Sequence, residues 1–151
     1  MDTNHIETLL AGMSPIASKH FMGCFPADRI PQKVLIRRYP ASMVINLDPV
    51  RKEGSHWVAA FIPNASTIYY FDSLAMEPSG HIADFLKTFS HVEKNIHVYQ
   101  NPFSTFCGHY TIAFLYHLSH GYTFSQFIKL LDSHVPNSDH FVQKFVNKLI
   151  K

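Results

Sequence analysis

Cys107 is the residue whose type and setting best suit covalent catalysis. A cysteine thiolate is a strong nucleophile, and Cys107 opens a long apolar segment that predicts a buried helix. With Ser104 or Thr105 as N-cap, Cys107 would lie in the first helical turn, where free N–H groups and the helix dipole stabilise negative charge. Gly108 follows directly, and its missing side chain would let a substrate backbone approach. A lone cysteine is about as often a small buried hydrophobe, and these facts make Cys107 a plausible nucleophile without proving it.

A cysteine nucleophile needs a base, and the base needs an orienting group. His56 opens an apolar, β-prone run, and Asp72 ends the next one. A turn at residues 63–66 would join the two runs into a hairpin with both residues roughly level. Asp72 could then orient the imidazole and support its charged form. Two alternatives stay open: Asp72 as a simple turn residue, and Asp48 as a rival acid.

The remaining histidines and the second cysteine suggest no further chemistry. His117 and His120 have helical i, i+3 spacing near a helix end, but a zinc site would want more Cys or carboxylate ligands. We therefore expect no metal and no cofactor. We expect His109 to be a helix-packing residue rather than a second base. Cys24 lies in a Pro- and Gly-rich stretch and is interpreted as structural or incidental.

Several elements must position these residues. Hydrophobic periodicity and capping signals predict helices over 4–12, 79–89 and 107–118, one after Thr123, and one capped by Asn137 or Ser138. The segments with strand character are 33–37, 42–47, 56–62, 67–72 and 95–100. Residues 13–32 are predicted to be irregular, and 49–54 a polar loop. Helices at both ends of a central run of strands predict an α+β fold.

Composition narrows the class of protein. The chain has 151 residues, 46% of them hydrophobic and 16% charged, with a net charge of +2. This predicts one globular domain over 1–151 and argues against disorder and against a nucleic-acid binder with a basic face. Two distant cysteines are not a disulfide scaffold. No signal peptide or membrane span is recognisable, so we expect an intracellular protein.

The order of the candidate residues resembles the clan of the adenovirus protease (adenain) and the Ulp-type SUMO proteases. That clan uses His, then an acid or Asn, then Gln, then Cys. Gln100 precedes Cys107 by seven positions, a spacing associated more with the adenovirus type. The resemblance covers roughly residues 22–120 and is carried by Gly54-Ser55-His56-Trp57, Tyr70-Phe71-Asp72, Gln100 and Phe106-Cys107-Gly108.

The resemblance implies a papain-like superfamily fold in the adenain/Ulp arrangement, with a central mixed β-sheet flanked by helices. It implies Cys107 as nucleophile, His56 as base, Asp72 as orienting acid and Gln100 as oxyanion donor. Trp57 would cover the catalytic ring and narrow the substrate channel. Without the resemblance, Gln100 would be a polar strand end and Trp57 a core aromatic.

The resemblance also implies a cysteine endopeptidase that cuts polypeptides near small residues, often glycine. We expect it to mature viral or mobile-element precursors, in the cytoplasm or nucleus of a host cell or in a virion, without a membrane or nucleic-acid partner. The alternatives are a deubiquitinase or deSUMOylase acting on a ubiquitin-like protein, an effector acetyltransferase and a non-catalytic binding module. The single Trp argues against the first alternative, and the lack of a conspicuous basic cluster argues against the second.

Overall fold

The computed structural model describes residues 3–13, 16, 19–47 and 56–150. Asp48, the predicted polar loop 49–54 and the Gly54-Ser55 pair lie outside the described residues. The helices are α1 (Thr3–Met13), α2 (Gly80–Leu86), α3 (Cys107–Ser119), α4 (Phe124–Asp132) and α5 (Ser138–Ile150). The strands are β1 (Phe21–Pro26), β2 (Ala41–Asn46), β3 (Trp57–Asn64), β4 (Thr67–Phe71) and β5 (His91–Lys94).

The five strands form one mixed sheet in the order β1-β2-β3-β4-β5. β2, β3 and β4 pair antiparallel, whereas β1 pairs parallel to β2 and β5 pairs parallel to β4. β3 is central and carries apolar residues at nearly every position, as expected for a strand covered on both faces.

The sheet separates two hydrophobic cores. Alternate residues of β3 point to opposite faces. Trp57, Ala59 and Phe61 pack with α1, α3, α4 and α5, while their neighbours Val58 and Ala60 pack with α2. The helices therefore flank the sheet on both faces, and α3 lies directly on β3.

The predicted fold class is confirmed as α+β with a mixed central sheet and flanking helices. The hairpin of β3 and β4, the buried helix α3 and the N-terminal helix α1 form close to their predicted ranges. The capping box of Thr123 and Gln126 at the start of α4 is also confirmed, with both reciprocal hydrogen bonds present. No described helix has both the length and the apolar character needed to cross a bilayer.

Three predicted segments were wrong. Residues 13–32 are not irregular throughout, because β1 forms at the edge of the sheet and pairs with β2. An edge strand tolerates both the positive φ of Gly23 and a proline, Pro26, as its last residue. Residues 33–37 are not a strand: a 3-10 turn covers Lys33–Leu35, and β1 already occupies the place beside β2. Residues 95–100 are not a strand either, because β5 ends at Lys94.

Candidate active site

His56 and Asp72 meet at one end of the sheet. His56 immediately precedes β3 and Asp72 immediately follows β4. Continuing the register from the Ala59–Phe71 pair places Asp72 opposite Val58 rather than level with His56. The side chains still meet as diagonal neighbours, with Nε2 of His56 2.6 Å from Oδ1 of Asp72. Both residues are buried, so the contact is shielded from water.

The chain turns back on Asp72 and holds its carboxylate. The N–H of Leu74 donates to Oδ1 over 2.8 Å, and the N–H of Met76 donates to Oδ2 over 3.2 Å. The N–H of Ala75 donates to the Asp72 carbonyl over 2.8 Å, and Ala75 has a φ of 51°, which is unusual for a residue with a side chain. Strained backbone of this kind is concentrated at functional sites.

Asn95 ties the main chain of Asp72 to the end of β5. Its Oδ1 accepts from the Asp72 N–H over 3.0 Å, and its Nδ2 donates to the Asp72 carbonyl over 2.7 Å. Nδ2 also donates to the carbonyl of His97 over 3.1 Å. One buried side chain therefore continues the β4–β5 pairing one step beyond the point where both strands end.

Cys107 is the first residue of α3. The predicted caps Ser104 and Thr105 were wrong, because Phe106 occupies the N-cap position and no side chain caps the helix. The first intrahelical bond runs from the N–H of Tyr110 to the carbonyl of Phe106. The N–H groups of the first turn therefore have no acceptor within the helix itself, and they lie beside a buried thiol.

His56 also forms a side-chain hydrogen bond with Cys107, so it lies between the thiol and the carboxylate. Burial lowers the pKa of His56, but the hydrogen bonds to Asp72 and Cys107 and the negative charges of both groups outweigh burial and raise the pKa to about 9. Because Nε2 faces Asp72, Nδ1 is the nitrogen left for Cys107. His56 therefore keeps its proton at neutral pH.

Gln100 lies in the loop before α3 and is buried. Its Nε2 donates to the carbonyl of Ser104 over 3.0 Å, and its Oε1 accepts from the hydroxyl of Ser73 over 2.6 Å. Its own N–H and that of Tyr99 both donate to the carbonyl of Ser73. The predicted oxyanion donor is thereby attached to the residue that follows Asp72.

A polar cluster fastens this loop to α3 and α5. The hydroxyl of Ser138 donates to the carbonyl of Tyr99 over 2.7 Å. The hydroxyl of Tyr110 lies 2.7 Å from Oδ1 of Asp139 and 3.0 Å from the Tyr99 carbonyl, so its one proton is shared between these acceptors, and Asp139 also accepts from the N–H of Asn101. The main chain on both sides of Gln100 is therefore fixed to the helices.

Trp57 and Gly108, the predicted substrate contacts, are both buried. Trp57 follows His56 directly and belongs to the same core cluster as Cys107. Within the described residues, three buried side-chain polar atoms have no hydrogen-bond partner: Trp57 Nε1, Ser104 Oγ and His109 Nδ1. Each of these residues lies within three positions of His56 or Cys107, and unpaired buried groups of this kind call for an explanation. The substrate-binding roles of Trp57 and Gly108 stay predictions.

Two histidines at the end of α3 bond to the main chain of the helix. Nδ1 of His117 donates to the carbonyl of Ala113 over 2.6 Å, and Nδ1 of His120 to that of Tyr116 over 2.8 Å. Burial lowers the pKa of His109, so it stays neutral near pH 7. In the part of the chain that the structure describes, no three His, Cys, Asp or Glu side chains come together in a group that could hold a metal.

Cys24 lies in β1 rather than in a loop. Burial, together with the nearby charge of Glu7, raises the pKa of its thiol to about 12. The Cys24 thiol is therefore protonated at any physiological pH and is a poor nucleophile. Cys107 differs from Cys24 in having the His56 ring as a hydrogen-bond partner.

Ser73 and Asn95 are the site residues that sequence reasoning missed. Each acts through a contact with a residue distant in sequence, and neither residue type predicts such a contact. Ser73 follows the predicted acid directly, which was the one available signal. Asn95 was assigned to a strand, where its side chain would have been expected to face outward or into the core.

Comparison with known proteins identifies related sequences and structures. Residues 41–150 match the Ulp1 protease family, C-terminal catalytic domain. None of the curated proteins matches the chain. The crystal structure of the ASFV pS273R protease is similar over 85% of this chain, at 19% identity and a TM-score of 0.60. The selenomethionine form of that protease gives 16% identity, 85% coverage of this chain, 61% coverage of that chain and a TM-score of 0.51.

The similarity to these crystal structures establishes a shared fold. The chain spans 60% of the length of the ASFV pS273R protease. SUMO protease Ulp1, with its catalytic cysteine oxidised to a sulfinic acid, aligns with all of this chain and with 79% of its own, at 15% identity and a TM-score of 0.48. All four predicted catalytic residues lie within the segment that matches the family.

Proposed function

We propose that this chain, which belongs to the Ulp1 protease family, is a cysteine protease with Cys107 as nucleophile. The observation that carries the proposal is the position of His56, which bonds to the buried carboxylate of Asp72 at 2.6 Å and to the thiol of Cys107. An imidazole held between an acid and a thiol is the arrangement that activates a cysteine.

The reaction we propose is acyl transfer. The protonated His56 holds Cys107 as a thiolate, and the thiolate sulfur forms a bond to the carbon of a peptide carbonyl as the C=O π electrons move to the oxygen. The resulting oxyanion accepts hydrogen bonds from the Cys107 N–H and from Nε2 of Gln100. His56 then donates its proton to the leaving amine as the C–N bond breaks, and a thioester remains.

Water resolves the thioester. His56, now neutral, takes a proton from the attacking water, and the new C–O bond forms as the C–S bond breaks. Asp72 holds the imidazole in one orientation through both halves of the reaction and supports its charged form. The acid product leaves, and His56 and Cys107 return to their starting state.

We further propose polypeptide substrates with small residues, often glycine, near the cleaved bond. The adenain/Ulp resemblance supports this, as does the missing side chain of Gly108 beside the nucleophile. We assign the enzyme to the maturation of viral or mobile-element precursors inside the host cell. Membership of the Ulp1 family favours one second candidate, a protease acting on a ubiquitin-like modifier.

Two substrate formats separate these candidates. The protein is incubated with ubiquitin and SUMO propargyl probes and, separately, with peptides containing Gly-Gly or Gly-Xaa-Gly. Peptide cleavage that disappears in Cys107→Ala, without probe labelling, is expected for precursor processing. Labelling of Cys107 by a probe would assign the modifier-protease function instead. Retained cleavage in Cys107→Ala would contradict the proposed nucleophile, and Cys24→Ala is the matched control.

A further inference from the structure

Ser73 makes two kinds of contact with Gln100. It is 1% exposed, and its hydroxyl donates to Oε1 of Gln100 over 2.6 Å. Its carbonyl accepts from the N–H of Gln100 over 3.0 Å and from that of Tyr99 over 2.9 Å. Ser73 therefore holds Gln100 by the side chain as well as by the main chain.

Two contacts of the Gln100 side chain together decide which end of its amide faces the nucleophile and fix the amide plane. An amide has an acceptor end and a donor end, and only the donor end stabilises an oxyanion. The carbonyl of Ser104 can only accept, so it takes one N–H of Nε2. The hydroxyl of Ser73 then donates to Oε1 at the other end. A reversed amide would place Oε1 against the Ser104 carbonyl oxygen, where two acceptors repel.

We propose that Ser73 is a positioning residue that holds the Gln100 amide with its second N–H directed to the oxyanion. The inference rests on the proposed protease function. Without the hydroxyl, Oε1 becomes a buried acceptor with one fewer partner, and the amide plane tilts to recover a hydrogen bond while Nε2 keeps its bond to the Ser104 carbonyl. The N–H then leaves the position in which it serves the transition state, while the main-chain bonds of Ser73 remain.

Steady-state kinetics of a double-mutant cycle test the proposal. Since loss of an oxyanion donor lowers kcat by about 10²–10³-fold, we expect that loss for Gln100→Ala. We expect roughly 10–100-fold for Ser73→Ala, with KM changed by less than about twofold. In a Gln100→Ala background, Ser73→Ala should change kcat by less than about twofold, because both act through one group. Ser42→Ala, a buried serine on β2 at the far end of the sheet, is the matched control and should retain kcat.

Two further measurements separate positioning from a structural role. Affinity for a peptide aldehyde, whose thiol adduct carries an oxygen in the oxyanion position, should fall in Ser73→Ala by about the same factor as kcat. The rate of Cys107 alkylation by iodoacetamide, which forms no oxyanion, should stay within about twofold of wild type. Ser73→Cys fills the same space with a weaker donor, and we expect a smaller loss of kcat that keeps the test available if Ser73→Ala does not fold.

Each outcome decides the question. Equal losses of kcat in the wild-type and Gln100→Ala backgrounds would overturn the proposal, as would a parallel loss of alkylation rate, because Ser73 would then act on the fold or on Asp72. Normal kcat in Ser73→Ala beside an active wild type overturns this inference alone. A wild type that neither cleaves peptides nor binds the aldehyde overturns the proposed function and the inference together.

Discussion

Opposing physical effects act on the pKa of His56. Burial disfavours its charged form, whereas Asp72 and Cys107 favour it, and the net result is a pKa of about 9. In the proposed mechanism the imidazolium is the acid that protonates the leaving amine. The raised pKa keeps that acid available at neutral pH and sets the pH at which it is lost.

The pH dependence of kcat/KM follows from this pKa. We expect activity to fall as pH rises through about 9, because His56 then loses the proton it must donate. Asp72→Asn replaces the carboxylate, whose negative charge helps to raise the pKa, with a neutral amide, so its alkaline limb should lie at lower pH. The variant should also lose turnover by on the order of 10⁴-fold, as in a comparable triad. The measurement is kcat/KM for peptide cleavage from pH 6 to 10 in both proteins.

A urea unfolding curve is the control for Asp72→Asn. The raised pKa of His56 also contributes to the free energy of unfolding, because the folded protein binds the His56 proton more tightly than the unfolded chain. This stabilisation is complete below pH 6.5 and is lost as pH rises through about 9. We expect the variant to stay folded at pH 7 despite its lost turnover. If Asp72→Asn were instead unfolded at pH 7 without urea, and its alkaline limb did not move, Asp72 would be a structural residue.

At the scale of elements, the site is assembled where β3 begins and β4 ends, against the first turn of α3. The ring of Phe71, directly before Asp72, lies among the rings of Tyr99, Tyr110 and Phe114, with centroids 5.2–6.2 Å apart. The aromatic cluster therefore joins the strand that carries the acid, the loop that carries Gln100 and the helix that carries Cys107.

Asn95 should contribute to both stability and activity. Asn95→Ala removes hydrogen bonds to the N–H and the carbonyl of Asp72 and leaves buried main-chain groups without these partners. Since such groups cost about 1–3 kcal/mol each, we expect the free energy of unfolding in urea to fall by at least roughly that amount. We also expect kcat to fall, because the same backbone carries the acid.

Asn95→Asp is the informative companion variant. It keeps an acceptor for the Asp72 N–H, loses the donor to the Asp72 carbonyl and places a second carboxylate near Asp72. It should therefore be less stable than wild type, with the larger penalty near neutral pH, where both groups are charged. Unchanged unfolding curves for both Asn95 variants would show that Asn95 does not support the acid.

Elements with a strong local pattern were predictable, and elements defined by a distant partner were not. The apolar run of α3, the capping box of α4 and the β-prone hairpin strands on either side of a turn each reflect short-range physics. β1 forms because it reaches β2 in parallel, and no local pattern records that pairing. Residues 95–100 resemble a strand in sequence, but they do not extend β5. The side chain of Asn95 bonds to the main chain of Asp72, and the N–H groups of Tyr99 and Gln100 donate to the carbonyl of Ser73.

At the scale of the molecule, the chain order of His56, Asp72, Gln100 and Cys107 was readable from sequence, because the resemblance rests on residue order. The predicted hairpin already brought His56 near Asp72, as the structure has them, whereas the approach of His56 to Cys107 was not derivable from local pattern. The residues that hold the candidate site in place were not predictable from sequence either. Ser73, Tyr110, Ser138 and Asp139 act through contacts between distant parts of the chain.

The two cysteines offer a test within one molecule. Cys24 has a pKa of about 12 and is half-buried in an edge strand, whereas Cys107 bonds to His56 at the start of α3. A difference in reactivity between them therefore reports the environment of each thiol. His56→Ala removes the base and leaves the environment of Cys24 unaltered.

The central claim, that His56 activates Cys107 as a nucleophile, is tested most directly by the labelling rates of the two cysteines. A glycine-terminated peptide vinyl sulfone is reacted with wild type and His56→Ala at pH 7, and adducts at each cysteine are followed by peptide mass spectrometry. We expect Cys107 to react at least about 100-fold faster than Cys24 in wild type and to lose most of that advantage in His56→Ala. Equal rates at both cysteines, or a Cys107 rate that His56→Ala leaves unchanged, would contradict the claim.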